Sequence, residues 1–136
     1  MASAHYNLAL QEYIKASMGD MTANTVKVRL SRSSAYTFSQ AHQFASSLAA
    51  AIVTDVAIGS KTANGQGSDP GSMDGADCVF TAVPAGAAID SLIIYKDTGS
   101  AATSNLLCYI DGFSVTPNGG DITVQWQNTA PFIFKI

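Results

Sequence analysis

The sequence predicts a mainly β protein: an antiparallel β-sandwich or barrel of about seven or eight short strands, with an N-terminal helix and one short additional helix. Three observations carry this expectation. Short apolar or alternating runs recur along the chain, each too brief for a helix of ordinary length. Gly, Pro, Asn and Asp cluster between them, most plainly at Thr116-Pro117-Asn118-Gly119-Gly120-Asp121. The regular strand-helix alternation of a Rossmann or P-loop protein is missing. Residues 1–20 are expected to form a helix or arm, and residues 21–136 a single β-rich domain.

Residues 4–18 place Tyr6, Ala9, Leu10 and Tyr13 at helical spacing, with Gln11, Glu12 and Lys15 elsewhere on the wheel. Gly19-Asp20 stops that helix. Such a segment packs on its own sheet or reaches a neighbouring subunit. Asn24 to Leu30 alternates Val26, Val28 and Leu30 against Thr25, Lys27 and Arg29, the mark of a half-buried strand. Tyr36-Thr37-Phe38 is a short extended piece, and Ser39 offers an N-cap for a short helix through His42, Phe44 and Leu48. Ile52 to Ile58 is β-like and ends at Gly59-Ser60.

Residues 64–77 hold four glycines, one proline and three aspartates, with almost no apolar content, and are expected to be a surface loop outside the core. Strands follow at Cys78–Val83, Ile89–Lys96, Asn105–Asp111, Asp121–Gln127 and Phe132–Phe134. In the fourth of these, Ile122, Val124 and Trp126 alternate inward with Thr123 and Gln125 outward. Pro117 presets φ, and Asn118-Gly119 tolerates positive φ, so that turn has a mechanism.

Composition narrows the function classes. Charged residues are only 12% of the chain against 47% hydrophobic, where a soluble domain averages about 25% charged. The surface must be largely Ser, Thr, Asn, Gln, Gly and Ala, which favours an oligomer or a component of an assembly. The net charge is −3, and the seven basic residues are scattered except for Lys27, Arg29 and Arg32. Nucleic-acid binding relies on clustered cations, so no nucleic-acid partner is expected, and Lys27 and Arg29 read as a solvated strand face. No apolar run approaches the roughly 20 residues of a spanning helix, so no membrane partner is expected either. The first fifteen residues lack the pattern of a signal peptide. A chain assembled in the cytoplasm follows, with Cys78 and Cys108 as reduced, buried thiols.

Each chemical reading finds a competing structural one. Asp97-Thr98-Gly99-Ser100 matches the catalytic turn of aspartic proteases, where two carboxylates share a proton. Lys96 stands where an apolar residue normally enters that turn, and Tyr109-Ile110-Asp111-Gly112 interrupts the bracing segment with a carboxylate. Asp and Ser are also ordinary turn caps. Asp69, Asp74 and Asp77 suggest calcium, but an EF-hand register with Gly75 at position 6 puts Pro70 at position 1 and Thr81 at position 12. His5 and His42 sit in no nucleophile or metal motif. Tyr36, Tyr109 and Phe113 would serve sugar stacking only if exposed. No catalytic, cofactor-binding or metal residue is assigned, and the chain is expected not to be an enzyme.

Several segments taken together resemble a family of small virion structural proteins of tailed bacteriophages. They are Asn24–Leu30, Tyr36-Thr37-Phe38, Asp77–Val83, Leu92–Gly99, Ala102-Thr103-Ser104, Tyr109-Ile110-Asp111, Val115–Trp126 and the closing Ile133-Phe134-Lys135-Ile136. The similarity spans roughly residues 20–136, and its last third is the most specific. The link from Asp111 to Val115 is shorter than the family's usual one, and Gln127-Asn128-Thr129 replaces the usual Asp-Asn-Gly. The resemblance implies a virion component without enzymatic activity. A capsid decoration (cement) protein on the capsid surface is the first expectation, with the major capsid protein as partner and a homo-oligomer, such as a trimer, as its state. A tail, neck or baseplate component, and a receptor- or glycan-binding fibre module, are the alternatives.

Overall fold

The computed structural model describes residues 4–9, 11, 20–64, 72–126 and 134–135. Among them are ten short strands, all paired antiparallel, in sheets of five, three and two strands. The largest sheet runs in the order β1 (Ala4–His5), β8 (Leu106–Ile110), β7 (Ser91–Lys96), β2 (Val26–Ser31) and β3 (Val56–Ala57). The central strands β7 and β8 are buried at every position except Lys96 and Ile110. Their near-continuous apolar runs are what a strand covered on both faces requires. Strand β2 keeps the predicted alternation, with Val26, Val28 and Leu30 buried and Lys27 and Arg29 half-buried. Its register sets Val28 opposite Ile94 and Arg29 opposite Ile93.

Pairing of β7 with β8 shifts between Ile94 and Tyr95: Ile94 lies opposite Cys108 and Tyr95 opposite Leu106, leaving Leu107 as the extra residue of a bulge. The Leu107 carbonyl accepts the Tyr6 N–H at 3.2 Å. The second sheet has the order β10 (Phe134–Lys135), β5 (Ser72–Asp74), β4 (Thr62–Asn64), and the third pairs β6 (Cys78–Phe80) with β9 (Ile122–Val124). Buried side chains from all three sheets, including Val28, Ile94, Met73 and Phe80, belong to one core cluster.

The described residues correct four expectations. The helix predicted over 4–18 does not begin at residue 4, because Ala4–His5 is a strand pairing with Tyr109 and Cys108. The open edge of β8 offers backbone partners that outcompete helix propensity there. Helical backbone is seen at residues 7–9 and 11, while residues 10 and 12–19 lie outside the described part. The second helix is reduced to a 3-10 turn at Ala45–Ser47. Ser39 caps only a local turn, accepting the Ala41 N–H at 3.2 Å, and Phe44 bridges Asn105 in extended conformation. Residues 64–77 are not outside the core, since Met73 on β5 is buried at 4% exposure; residues 65–71, with Asp69, lie outside the described part. Finally, the β-like stretch from Ile52 to Ile58 contributes only Val56–Ala57 as strand.

Beyond β6 the chain turns sharply at Ala82, whose φ of 50° lies in the left-handed region that alanine adopts at a cost of about 1 kcal/mol. Its neighbours hold it there. The Ala82 N–H donates to Asp121 Oδ1 and the Val83 N–H to the Gly120 carbonyl, each at 2.9 Å, while the Gly119 N–H donates to the Val83 carbonyl, also at 2.9 Å. The turn at 117–120 is thus fastened to the end of β6, which extends the β6–β9 pairing beyond Phe80 opposite Ile122.

Candidate functional site

One polar constellation among the described residues joins β2, β7 and the segment before β3. Arg29 extends from β2 and Tyr95 from β7 on the same side of the sheet, because Lys27 lies opposite Tyr95 and Arg29 is two residues further along. Asp55 precedes β3, which pairs with β2 at Lys27 and Val28. Arg29 Nε reaches both Asp55 oxygens at 3.1 Å, Nη2 reaches Oδ2 at 2.8 Å, and Nη1 donates to the Ala49 carbonyl at 3.0 Å. The Tyr95 hydroxyl donates to the same Asp55 Oδ2. The Arg29 guanidinium carbon also sits 5.8 Å from the Tyr95 ring centroid. Burial, reinforced by the Asp55 carboxylate, pushes the Tyr95 phenol well above its ordinary value. Every group here has a partner. The arrangement fastens the 49–57 segment to the sheet.

A second constellation is aromatic. Tyr6, fully buried, meets Phe38 edge-on at 5.1 Å, and Phe38 stacks on Tyr109 at 4.4 Å. The Tyr6 and Tyr36 hydroxyls are 3.0 Å apart, and the Tyr36 hydroxyl lies 2.8 Å from His42 Nδ1. Burial, followed by the Tyr36 contact, raises the Tyr6 phenol far beyond its usual range. The chain Tyr6–Tyr36–His42 connects a buried phenol to a half-buried imidazole.

The protease-like turn resolves into a cap. Asp97 Oδ1 accepts the Gly99 N–H at 3.0 Å, and Oδ2 pairs with Lys27 Nζ at 3.0 Å. Ser104, buried, donates to the Ser100 carbonyl at 2.8 Å and accepts the Thr98 N–H at 3.1 Å. The Gly99 N–H, then Lys27, hold the Asp97 carboxyl below its ordinary value. A carboxylate kept ionised by a lysine is the opposite of one sharing a proton with a second acid.

No family model matches the sequence, and none of the curated proteins matches it.

Other residues singled out by sequence occupy structural positions. Asp77 Oδ1 accepts the Trp126 N–H at 3.0 Å, and the Trp126 indole donates to the Ala76 carbonyl, also at 3.0 Å. Cys78 and Cys108 are buried free thiols in different sheets. Burial raises both, Cys78 with added repulsion from Asp77, and Cys108 is pushed up to about 12. Tyr36 and Tyr109 are each 4% exposed, which removes them as sugar-stacking platforms, while Phe113 is half-buried. His5 and His42 are on separate elements, His5 in β1 and His42 before the 3-10 turn.

Sequence reading missed the Arg29–Asp55–Tyr95 arrangement by treating Arg29 as a solvated residue. The signal was present in Thr54-Asp55, which interrupts the apolar run from Leu48 to Val56. A carboxylate inside such a run requires a partner.

Proposed function

We propose that this chain is a non-enzymatic structural protein of a tailed-bacteriophage virion, a capsid decoration protein that binds the major capsid protein and stabilises the head. The observation that carries the reading is the resemblance of residues 20–136 to small virion proteins, densest over Val115–Trp126. Two features support it. The antiparallel sheets, which we read as layers of a sandwich around the doubly covered β7 and β8, present few charges. The acids, tyrosines and thiols with chemical potential are engaged or buried within the fold. A surface poor in charge docks repeatedly at low desolvation cost, and weak contacts sum by avidity in a symmetric oligomer. Binding only the assembled shell stabilises that shell by linkage.

Counting copies in purified particles tests the proposal. A decoration protein is present on the order of hundreds of copies, following capsid symmetry, and particles lacking it burst at lower temperature. About six or twelve copies, as in a tail, neck or baseplate ring, would overturn it in favour of that location.

A further inference from the structure

The chain contains two Asn-Gly pairs, Asn64-Gly65 and Asn118-Gly119. The second is described in full. Asn118 is exposed, its side-chain Oδ1 accepts the Gly120 N–H at 3.0 Å, and Gly119 has φ of 90°. The Gly119 N–H donates to the Val83 carbonyl at 2.9 Å. We infer that Asn118 is a site of spontaneous conversion to aspartate and isoaspartate, gated by the hydrogen bond between Gly119 and Val83. This inference does not depend on the virion reading.

The chemistry needs only water and a solvent base. The base removes the Gly119 amide proton, and the nitrogen attacks Asn118 Cγ. The new N–Cγ bond closes a five-membered imide, the Cγ–Nδ2 bond breaks, and the side-chain nitrogen leaves as ammonia. Water then adds to either imide carbonyl and opens the ring to aspartate or isoaspartate. Nothing is oxidised or reduced. Glycine at position 119 leaves the attacking nitrogen uncrowded by a Cβ.

Two contacts act in opposite directions. The Gly120 N–H on Oδ1 draws charge from Cγ and stabilises the oxyanion of the tetrahedral intermediate, as a backbone oxyanion donor does. The Val83 carbonyl holds the proton that must leave first. Deprotonation therefore waits for that bond to open, and the favourable polarisation acts only afterwards. The gate governs the rate. It is reinforced by Asp121, which fixes Ala82, and by the Val83 N–H on the Gly120 carbonyl. Each conversion adds one negative charge to the net −3, and isoaspartate also lengthens the turn backbone, so aged molecules are expected to loosen at 117–120.

Peptide mapping with isoaspartate detection, at mildly alkaline pH, compares the folded protein with the urea-unfolded chain. Conversion at Asn118 is expected to be at least about threefold slower in the folded protein, the worth of one net hydrogen bond. Asn64 in the unfolded sample serves as the internal clock for an unprotected Asn-Gly pair. Asp121→Ala is expected to accelerate both Asn118 conversion and Gly119 amide exchange in the folded protein by the same factor, with no change in urea. Asp121→Asn keeps an acceptor for Ala82 and is expected to retain the slow rate. Equal rates in folded and unfolded wild type would overturn the inference. So would faster Gly119 exchange in a folded Asp121→Ala protein with no faster conversion.

Discussion

The Arg29 guanidinium engages the Asp55 carboxylate through two nitrogens, Nε at 3.1 Å and Nη2 at 2.8 Å, across 26 residues of sequence. The two side chains are 18% and 9% exposed. That burial separates the pair from surface bridges, which contribute about 0–1 kcal/mol. Removing one partner strands a desolvated charge, so Asp55→Ala is expected to lower the unfolding free energy by about 3 kcal/mol. Arg29→Lys keeps the charge but loses the planar fork, and is expected to cost about half as much. Urea unfolding checks both, as a lower midpoint at unchanged slope. A loss below about 0.5 kcal/mol for Asp55→Ala would place the pair with exposed bridges instead.

The longer strands were legible in this sequence; the short β1, β4 and β5 and the ties between strands were not. Alternation at Val26, Val28 and Leu30 identified β2, and the apolar run Leu92-Ile93-Ile94-Tyr95 identified β7, because burial on one or both faces is written directly in residue order. Asp55 could not be assigned to Arg29 from order alone, since the partner depends on which strand lies beside β2. The helix predicted from residue 4 failed for a related reason. Tyr6 and Ala9 satisfy a helical period, and both are buried, but the free edge of β8 captures Ala4 and His5 first. Met73 was missed because a single apolar residue amid Gly and Asp carries no period.

The Tyr6 and Tyr36 hydroxyls satisfy each other in the core at 3.0 Å. Tyr36→Phe removes the partner of a hydroxyl on a fully buried side chain and is expected to cost about 1–3 kcal/mol. With Tyr6→Phe added, both polar groups are gone, and the double variant is expected to be less destabilised than the sum of the singles. A double-mutant cycle by urea unfolding measures the coupling, expected at about 1 kcal/mol. Strict additivity would mean that the two hydroxyls do not depend on each other.

Cys108 sets part of the alkaline limit. Its folded pKa, pushed up to about 12 by burial, lies above the value of about 8.5 for an unfolded thiol. The unfolded chain therefore gives up the proton first. The stability this group confers is fully present below about pH 8.5 and is lost as pH rises toward the folded value. Cys108→Ala is expected to flatten the decline in stability between about pH 8.5 and pH 11. The same burial predicts that maleimide labels neither Cys78 nor Cys108 in the native protein and labels both in urea. Rapid native labelling of Cys108 would contradict its placement in β8.

Asp97 and Asp90 set part of the acid limit with the opposite sign. Asp97 is held low by the Gly99 N–H and then Lys27, and Asp90 by the Ser33 hydroxyl and its backbone N–H. Both folded pKa values lie below that of an unfolded aspartate, about 3.9. Their contribution is therefore present above that value and is lost as pH falls through the folded pKa. Asp97→Asn is expected to lower stability at neutral pH by under about 1 kcal/mol, because the Lys27 pair is near solvent and screened. The difference between wild type and variant should shrink as pH falls below about 4 and close once the folded Asp97 carboxyl is protonated. Unfolding midpoints measured across that range decide the matter. A difference that persisted at the lowest pH would assign Asp97 an effect independent of its charge.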